Sequence, residues 1–273
     1  MKLTDTHCHL DFKELAPEQS NMPDTLLAQC MKQHIHQIIV PATSPDNWQN
    51  VLNLTHFNQE LTNDKCKVFA CLGIHPWFLD NLEQQHLTLL AEKVTENRAD
   101  IIAIGETGLD AVIAKQQNNL NKQLEFFEYQ LQLAKQQQLP VIVHHRGTHN
   151  ETITLLKQVK VPHAGIVHAF SGSYQQACQY IDLGFKLGIG GTITYPRAKK
   201  TINAIKRLPL SSLVMETDAP AMPLYGFQGK SNSPLRLINV FKRLISLRDE
   251  TPQVIAETME NNISALFKLT ANE

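Results

Sequence analysis

Short runs of apolar, mostly β-branched residues recur along the chain and alternate with longer amphipathic or polar stretches. Runs of this length and composition predict buried strands. Eight are predicted, at residues 3–7, 37–41, 68–75, 101–106, 141–144, 165–170, 185–189 and 213–217. Strands that alternate with helices are typically parallel, and eight such units favour closure into a (β/α)8 TIM barrel. An open doubly wound sheet is the alternative.

Two of the intervening segments carry a clear helical period. Residues 121–138 repeat apolar side chains at 3-4 spacing from Leu124 to Ala134, which predicts one buried face. Residues 251–269 begin with Thr251 in the N-cap position and continue with a similar apolar stripe. We expect the second segment to be a closing helix.

The composition is that of a globular protein of one domain, residues 1–273, with 42% hydrophobic and 19% charged residues. No linker or internal repeat divides the chain, and its length is close to the ~250 residues typical of an eight-fold barrel. No apolar run approaches the ~20 residues that cross a bilayer, and no signal peptide is evident, so we expect a cytoplasmic protein without membrane contact. Five cysteines without a C-x-x-C pair indicate reduced thiols.

Charge is unevenly distributed. The net charge of −1 gives no overall indication of nucleic-acid binding. Residues 197–248, however, hold ten Lys and Arg against two acids, Glu216 and Asp218. Such a segment can neutralise phosphates. Solvated helix faces are an equally good explanation from sequence alone.

The first predicted strand carries His7 and His9, whose side chains leave an extended strand on the same face about 6.6 Å apart and can therefore share one cation. His34 and His36 repeat this spacing but precede the second strand. Active sites of parallel barrels gather at the carboxyl ends of the strands, so we interpret the second pair as chemically irrelevant.

Four more predicted strands end in side chains that bind metals. These are Glu106, His144, His168 and Asp218. Together with His7 and His9 they should meet on one rim of the barrel. Six ligands exceed the three or four that hold a single catalytic zinc, and suit two cations bridged by a carboxylate.

The chain resembles the TatD family of metal-dependent hydrolases over nearly its whole length. The resemblance depends on Asp5-Thr6-His7-Cys8-His9-Leu10, Gly73-Ile74-His75-Pro76, Ile104-Gly105-Glu106-Thr107-Gly108-Leu109-Asp110, Leu139-Pro140-Val141-Ile142-Val143-His144, His168-Ala169-Phe170-Ser171-Gly172 and Glu216-Thr217-Asp218-Ala219-Pro220. Residues 190–197 and 226–229 resemble the YjjV-type branch of that family.

The resemblance implies an amidohydrolase-like barrel with two divalent ions per chain. His7, His9 and Asp218 would bind one ion, His144 and His168 the other, and Glu106 would bridge them. The four imidazoles favour Zn, Mn, Ni or Co, whereas family members that cleave phosphodiesters often use Mg. Since the family includes deoxyribonucleases that remove nucleotides from the 3′ end, DNA or another phosphodiester is the expected substrate.

The expected mechanism is attack by a water whose pKa the two metals lower. Asp218 is the preferred general base, and Glu106 is a weaker candidate because bridging occupies both of its oxygens. His75 and Arg146 are candidate substrate contacts. A structural histidine and a salt bridge that orients a ligand carboxylate are their respective alternatives.

Two other functions are compatible with the same residues. An amide, ester or lactone hydrolase is the alternative enzyme, and a non-catalytic metal-binding protein is a third possibility.

The chain departs from its relatives at Ser231 and Ser233, which stand where many carry Arg and Glu, and at Ala111, where many carry Tyr. A missing aromatic stacking partner is therefore expected. Glu216 is predicted to turn away from Asp218, and a monomer without an obligatory protein partner is expected.

Overall fold

The computed structural model describes residues 1–15, 22–56 and 66–269. Eight parallel strands hydrogen-bond in chain order within one sheet. They are β1 (Leu3–Asp5), β2 (Ile35–Pro41), β3 (Lys67–Leu72), β4 (Ile101–Asp110), β5 (Val141–Arg146), β6 (Gly165–Val167), β7 (Lys186–Ile189) and β8 (Leu213–Met215). The predicted alternation of strands with helices is confirmed, and the structure is a single-domain barrel.

Helices connect successive strands on the outside of the sheet, and the last two follow β8. They are α1 (Met22–Lys32), α2 (Trp48–His56), α3 (Gln84–Glu96), α4 (Ala111–Gln117), α5 (Leu120–Gln137), α6 (His149–Val159), α7 (Tyr174–Ile181), α8 (Lys199–Arg207), α9 (Leu237–Ile245) and α10 (Pro252–Phe267). The two helices predicted from periodicity correspond to α5 and α10, and the Thr251 hydroxyl caps α10 by accepting from the Val254 amide. None of the helices in the ranges given above is long and apolar enough to span a bilayer.

Hydrogen bonds just beyond β1 and β8 join the two ends of the sheet. The Thr6 amide donates to the Met215 carbonyl at 3.0 Å, and the Asp218 amide donates to the His7 carbonyl at 2.8 Å. The Asp5 carboxylate accepts hydrogen bonds from both the amide and the hydroxyl of Thr217 across the same seam. The sheet is therefore a nearly closed barrel, and the open doubly wound alternative is wrong.

Several strand ends differ from the predicted boundaries. β1, β3, β6 and β8 end two or three residues before the predicted boundaries, so that His75, for example, lies three residues beyond Leu72. β4 instead continues past Glu106 to Asp110, and its pairing with β5 shifts register between Ile104 and Thr107. These segments leave the regular ladder where their side chains turn toward the mouth of the barrel.

A small apolar cluster fills the part of the barrel that α10 covers. It combines one residue from most strands with two from the helix: Ile39, Cys71, Ala103, Ile142, Ile166, Val214, Ile263 and Phe267. Asn262 of α10 donates to the carbonyls of Leu210 and Leu213 beside β8. This closing helix therefore leaves the opposite, carboxyl-terminal end of the barrel free for chemistry.

Two buried glutamines of α5 hold the backbone beside the mouth of the barrel. Gln130 accepts from the Ile74 amide at 2.7 Å and donates to the Ile74 carbonyl at 3.0 Å. Gln123 makes the same pair of hydrogen bonds with the backbone of Asp110. Both side chains are fully buried. The apolar stripe of α5 was predicted from sequence, but these polar clamps beside it were not.

Replacing Gln130 with Leu is expected to lower the free energy of unfolding by about 2 to 4 kcal/mol, because the amide and carbonyl of Ile74 lose their buried partner. Urea denaturation measures this loss. Gln132→Leu, at an exposed position of the same helix, is the matched control and should change stability by less than about 0.5 kcal/mol. Equal losses in the two variants would contradict the clamp.

Candidate metal centre

The structure brings all six predicted ligands together at the carboxyl-terminal mouth of the barrel. Glu106 lies at the centre, and each of its carboxylate oxygens faces a different group of imidazoles. The second His-x-His pair lies elsewhere: His34 precedes β2, and His36 is its second residue. Neither belongs to a metal-ligand cluster found among residues 1–15, 22–56 and 66–269.

The first group of donor atoms surrounds Glu106 Oε2. His7 Nε2 lies 3.1 Å from this oxygen and 3.3 Å from His9 Nε2, and His9 Nε2 lies 3.5 Å from it. Asp218 Oδ1 lies 3.7 Å from His7 Nε2 and 3.6 Å from His9 Nε2. Asp218 has a positive φ of 56°, which turns its side chain toward the histidines just after β8.

The spacing of this first group fits a divalent cation. Atoms about 2.0 to 2.2 Å from one tetrahedral ion lie about 3.3 to 3.6 Å from one another. The five separations given above scatter around that range. The four residues of this group are also buried. His7, His9 and Glu106 are each less than 7% exposed, and Asp218 is 9% exposed. A cation would balance the buried carboxylates here.

The second group surrounds the other oxygen of Glu106. His168 Nε2 lies 2.8 Å from Oε1, and His144 Nδ1 lies 3.2 Å from Oε1 and 3.0 Å from His168 Nε2. All three separations are within hydrogen-bonding distance, so the imidazoles face the Glu106 carboxylate directly.

The pKa values of this second group follow from the carboxylates that face the imidazoles. Burial opposes protonation of His168, but the facing carboxylates of Glu106 and Glu216 outweigh it and raise its pKa well above the usual value. For His144, hydrogen bonds to Asp110 and Glu106 likewise overcome burial and raise the pKa. Burial raises the pKa of Glu106, yet the surrounding imidazoles lower it well below its usual value. Metal binding at this group would displace protons.

The outward-facing ring nitrogens define which imidazoles can donate a lone pair to a metal. His9 Nδ1 lies 3.1 Å from the Pro41 carbonyl, and His144 Nε2 lies 3.2 Å from Asp110 Oδ2. A ring nitrogen that faces an oxygen acceptor carries the proton, so His9 presents the lone pair of Nε2 to the centre and has the tautomer of a metal ligand. His144 Nδ1 also faces an oxygen, Glu106 Oε1 at 3.2 Å, so its lone pair would reach a cation only after a proton leaves, and Asp110 would then hold the remaining proton on Nε2.

His75 has the opposite tautomer. Its Nδ1 accepts a hydrogen bond from the Trp77 amide at 3.1 Å, while its Nε2 lies 3.2 Å from Glu106 Oε1. Burial lowers the pKa of His75 to about 4, so the ring is neutral near pH 7. A neutral imidazole that accepts at Nδ1 has its proton on Nε2. His75 thus presents a hydrogen-bond donor to the centre, although it lies as close to Glu106 as a ligand does.

Glu216 contacts the side of His168 away from the centre. Its Oε1 accepts from the Ala169 amide and lies 3.8 Å from His168 Nδ1. Gly188 leaves room for this carboxylate, because a Cβ there would lie 2.1 Å from Oε2. Glu216 therefore acts as a structural partner that orients a candidate ligand from the side away from Glu106, in agreement with the prediction that it turns away from Asp218.

A cavity of about 680 Å³ opens above the two groups. Arg146 lines it with a guanidinium whose side chain is 56% exposed and lies 3.9 Å from Asp110 Oδ2. Trp77 and Phe78, 45% and 42% exposed, form one wall. The expectation of a missing aromatic stacking partner at Ala111 was therefore wrong for the site as a whole. The segment after β3 provides a stacking surface instead.

Asp110 connects this aromatic wall to the centre, and the sequence reasoning missed it. Its Oδ2 accepts from Trp77 Nε1 at 2.8 Å and lies 3.2 Å from His144 Nε2. Its Oδ1 accepts from the amides of Val112 and Ile113 and so caps α4. An Asp that follows a strand and precedes a helix is a recognisable N-cap signal. The sequence alone gave no sign that the same carboxylate reaches a histidine.

Replacing Asp110 with Asn is expected to weaken metal binding by about 10- to 100-fold, because His144 loses the carboxylate that fixes its tautomer. The fluorescence of Trp77 should change as well, since its indole N–H loses an ionised acceptor. Calorimetric metal titration and emission spectra measure the two effects. Asp80→Asn, at an exposed position, is the control, and unchanged metal affinity in Asp110→Asn would refute the connection.

The segment with Ser231 and Ser233 lies on the same side of the barrel as the centre. Asn232, between them, is buried and donates to the carbonyls of Thr217 and Met222. Ser233 accepts from the Leu235 amide and begins a short 3-10 helix over Pro234–Arg236. The guanidinium of Arg236 donates to the Ser231 carbonyl at 2.6 Å and provides a positive charge beside the two serines.

Comparison with known proteins agrees with the geometry. Residues 4–268 match the family described as TatD related DNase. The chain is 41% identical to the uncharacterized metal-dependent hydrolase YjjV of Escherichia coli K12 over 98% of both chains. It is 38% identical to an uncharacterized metal-dependent hydrolase of Haemophilus influenzae, covering 98% of this chain and 100% of that one. The crystal structure of Escherichia coli YjjV, described as a TatD homolog, superposes with a TM-score of 0.90 over 98% of each chain. The chain belongs to the TatD family of metal-dependent hydrolases.

Proposed function

We propose that the protein hydrolyses phosphodiester bonds at the end of a DNA strand, and that its centre would hold two divalent cations with Glu106 as a ligand of both. One observation carries this proposal: the two oxygens of Glu106 face separate groups of donor atoms, His7 with His9 on Oε2 and His144 with His168 on Oε1. A carboxylate between two such groups is the arrangement of binuclear hydrolases. Asp218 completes the first group.

The residues of the chain divide the chemical work. When bound, the cation pair supplies an acidified water and positive charge that offsets the charge of the reacting phosphate. Asp218 holds the attacking water through its second oxygen and accepts its proton. Burial raises the pKa of Asp218 to about 6, so it is mostly ionised near pH 7.

The remaining side chains position the substrate. The Nε2–H of His75, which points to the centre 3.2 Å from Glu106 Oε1, donates to an oxygen that gains negative charge during the reaction. The guanidinium of Arg146 at the cavity mouth contacts a neighbouring phosphate. Trp77 and Phe78 stack on a base or another flat group.

Burial of the centre supports attack at a strand end. His7 is fully buried and Glu106 is 2% exposed, so an intact duplex cannot reach the donor atoms from the side. The cavity volume of about 680 Å³ lies within the range of about 300 to 1,000 Å³ that is usual for small-ligand pockets. A terminal nucleotide can enter such a cavity, whereas an internal segment of a double helix is too wide.

The test compares substrate classes with the same metal-loaded protein. Single-stranded DNA labelled at the 5′ end, a chromogenic phosphodiester and a panel of amides, esters and lactones are each incubated with Mg, Mn, Zn, Co and Ni. We expect stepwise shortening of the DNA from its 3′ end and hydrolysis of the chromogen. Activity confined to amides, esters or lactones would overturn the proposal in favour of the amidohydrolase type, and activity with none of the substrates would remove its support.

A further inference from the structure

An exposed surface of aromatic and basic residues lies outside the metal cavity, on the loops that follow β7 and β8. We call it the outer rim and define it by Tyr195, Arg197, Tyr225, Lys230 and Arg236. Tyr195 and Tyr225 pack edge to face with ring centroids 5.7 Å apart, and Tyr225 is 57% exposed. The proposed mechanism uses none of these five residues.

The aromatic rings of the outer rim are held in place rather than loosely exposed. The Tyr195 hydroxyl donates to the Pro223 carbonyl at 2.6 Å, and the Tyr225 amide donates to Thr194 Oγ1 at 2.9 Å. Arg197 lies over the Tyr195 ring, 5.1 Å from its centroid. The face of Tyr225 is therefore available to a ligand without the cost of ordering the loop first.

The charge of this surface has one sign. Residues 190–236 contain only two acidic residues, Glu216 and Asp218, and both are buried at the metal centre. Arg197 and Lys230 are exposed, and neither forms a salt bridge with a residue that the structure describes. The outer rim thus presents unneutralised positive charge beside flat aromatic rings.

The outer rim is continuous with the cavity. Thr192 and Met222 line the cavity on this side. The Tyr195 amide donates to the Thr192 carbonyl at 3.2 Å. The Tyr195 hydroxyl donates to the carbonyl of Pro223, which directly follows Met222. A polymeric ligand whose end lies at the metal centre, and which leaves the cavity past Thr192 and Met222, would next contact Tyr195 and Tyr225.

We propose that the outer rim binds the single-stranded segment of a nucleic acid whose terminal nucleotide is in the metal cavity. Tyr225 stacks on an unpaired base, while Arg197 and Lys230 contact backbone phosphates. Unpaired bases expose the faces that aromatic side chains stack on, whereas paired bases do not. This proposal rests on the proposed function and extends it, because it names the surface that holds the strand outside the metal cavity.

The test measures binding of a fluorescein-labelled oligothymidylate with uncleavable phosphorothioate linkages to the Mn-loaded protein, by fluorescence anisotropy at several salt concentrations. Tyr225→Ala is expected to raise the Kd at least about fivefold, whereas Tyr225→Phe, which keeps the ring, should stay within about twofold of wild type. Lys230→Gln should reduce the slope of log Kd against log salt by about 0.7, the value for one phosphate contact on a single strand.

Lys157→Gln is the matched charge control, because Lys157 lies in the last turn of α6, at the far end of the barrel. It should leave both Kd and slope unchanged. A Kd for Tyr225→Ala within twofold of wild type would overturn the proposal. So would competition by polyglutamate as strong as that by the oligonucleotide, because an acidic polypeptide offers charge without bases.

Hydrolysis of the chromogenic phosphodiester by the wild-type protein separates this proposal from the proposed function. If the chromogen and DNA are not cleaved but binding still depends on Tyr225, the outer rim is supported and the nuclease function fails. If both are cleaved and binding is insensitive to Tyr225, the function stands and the outer rim is refuted.

Discussion

Replacing Glu106 with Gln is expected to abolish binding of both cations and to lower kcat/KM for phosphodiester hydrolysis by about a thousandfold or more. Each Glu106 oxygen faces two candidate ligands, so one substitution affects both groups of donor atoms. The amide keeps the shape of the carboxylate but directs an N–H group at one set of imidazole lone pairs. It also removes a negative charge that bound cations require. A thousandfold loss corresponds to about 4 kcal/mol of transition-state stabilisation, within the several kcal/mol that metal catalysis supplies.

Metal content and kinetics must be measured on the same preparation of this variant. Glu96→Gln provides the matched control, since Glu96 is 67% exposed at the end of α3 and should leave both quantities unchanged. A loss of activity with both metals retained would mean that Glu106 serves the reaction without bridging. Retention of activity with the metals lost would disprove a metal-dependent mechanism.

Replacing Asp218 with Asn is expected to lower kcat by about 100- to 10,000-fold, the contribution of a general base, while the protein still binds metal. The Asn oxygen can keep the position of Oδ1 near His7 and His9, which also hold the first cation site. The second oxygen, which we propose accepts the proton of water, becomes an amide nitrogen that cannot. The expected result is therefore a fall in kcat that is much larger than the fall in metal affinity.

Asp100→Asn, at an exposed position before β4, is the control for this substitution. The residual activity of Asp218→Asn should rise with pH more steeply than that of wild type, since hydroxide ion would replace the missing base. Near-normal kcat with both metals bound would show that Asp218 is only a ligand and that another group accepts the proton.

The barrel was predictable because the sequence patterns that specify it are local and recur along the chain. Each strand is a short apolar run, and the helices carry their own period, as the match between residues 121–138 and α5 shows. The six candidate ligands were predicted because a charged or imidazole side chain at the end of an apolar strand has few structural explanations. Strand polarity then separated His7 and His9 from His34 and His36.

The rest of the site depends on contacts between residues far apart in the chain. The tautomer of His75 follows from a hydrogen bond with Trp77, and that of His144 follows from Asp110, 34 residues away. Neither contact leaves a periodic signal in the sequence. Some strand boundaries were wrong as well: the segments around Leu72 and Met215 are apolar enough to predict longer strands, but their backbone leaves the ladder there.

The account depends on two cations that share Glu106, and electron paramagnetic resonance of the Mn-loaded protein tests this most directly. Apo-protein is titrated with Mn²⁺ while bound and free metal are counted. We predict saturation at two ions per chain and an exchange-coupled spectrum, because a shared carboxylate holds the ions close together. Glu106→Gln should not give this spectrum. Saturation at one ion, or two ions with the spectrum of isolated Mn²⁺, would contradict the bridged centre.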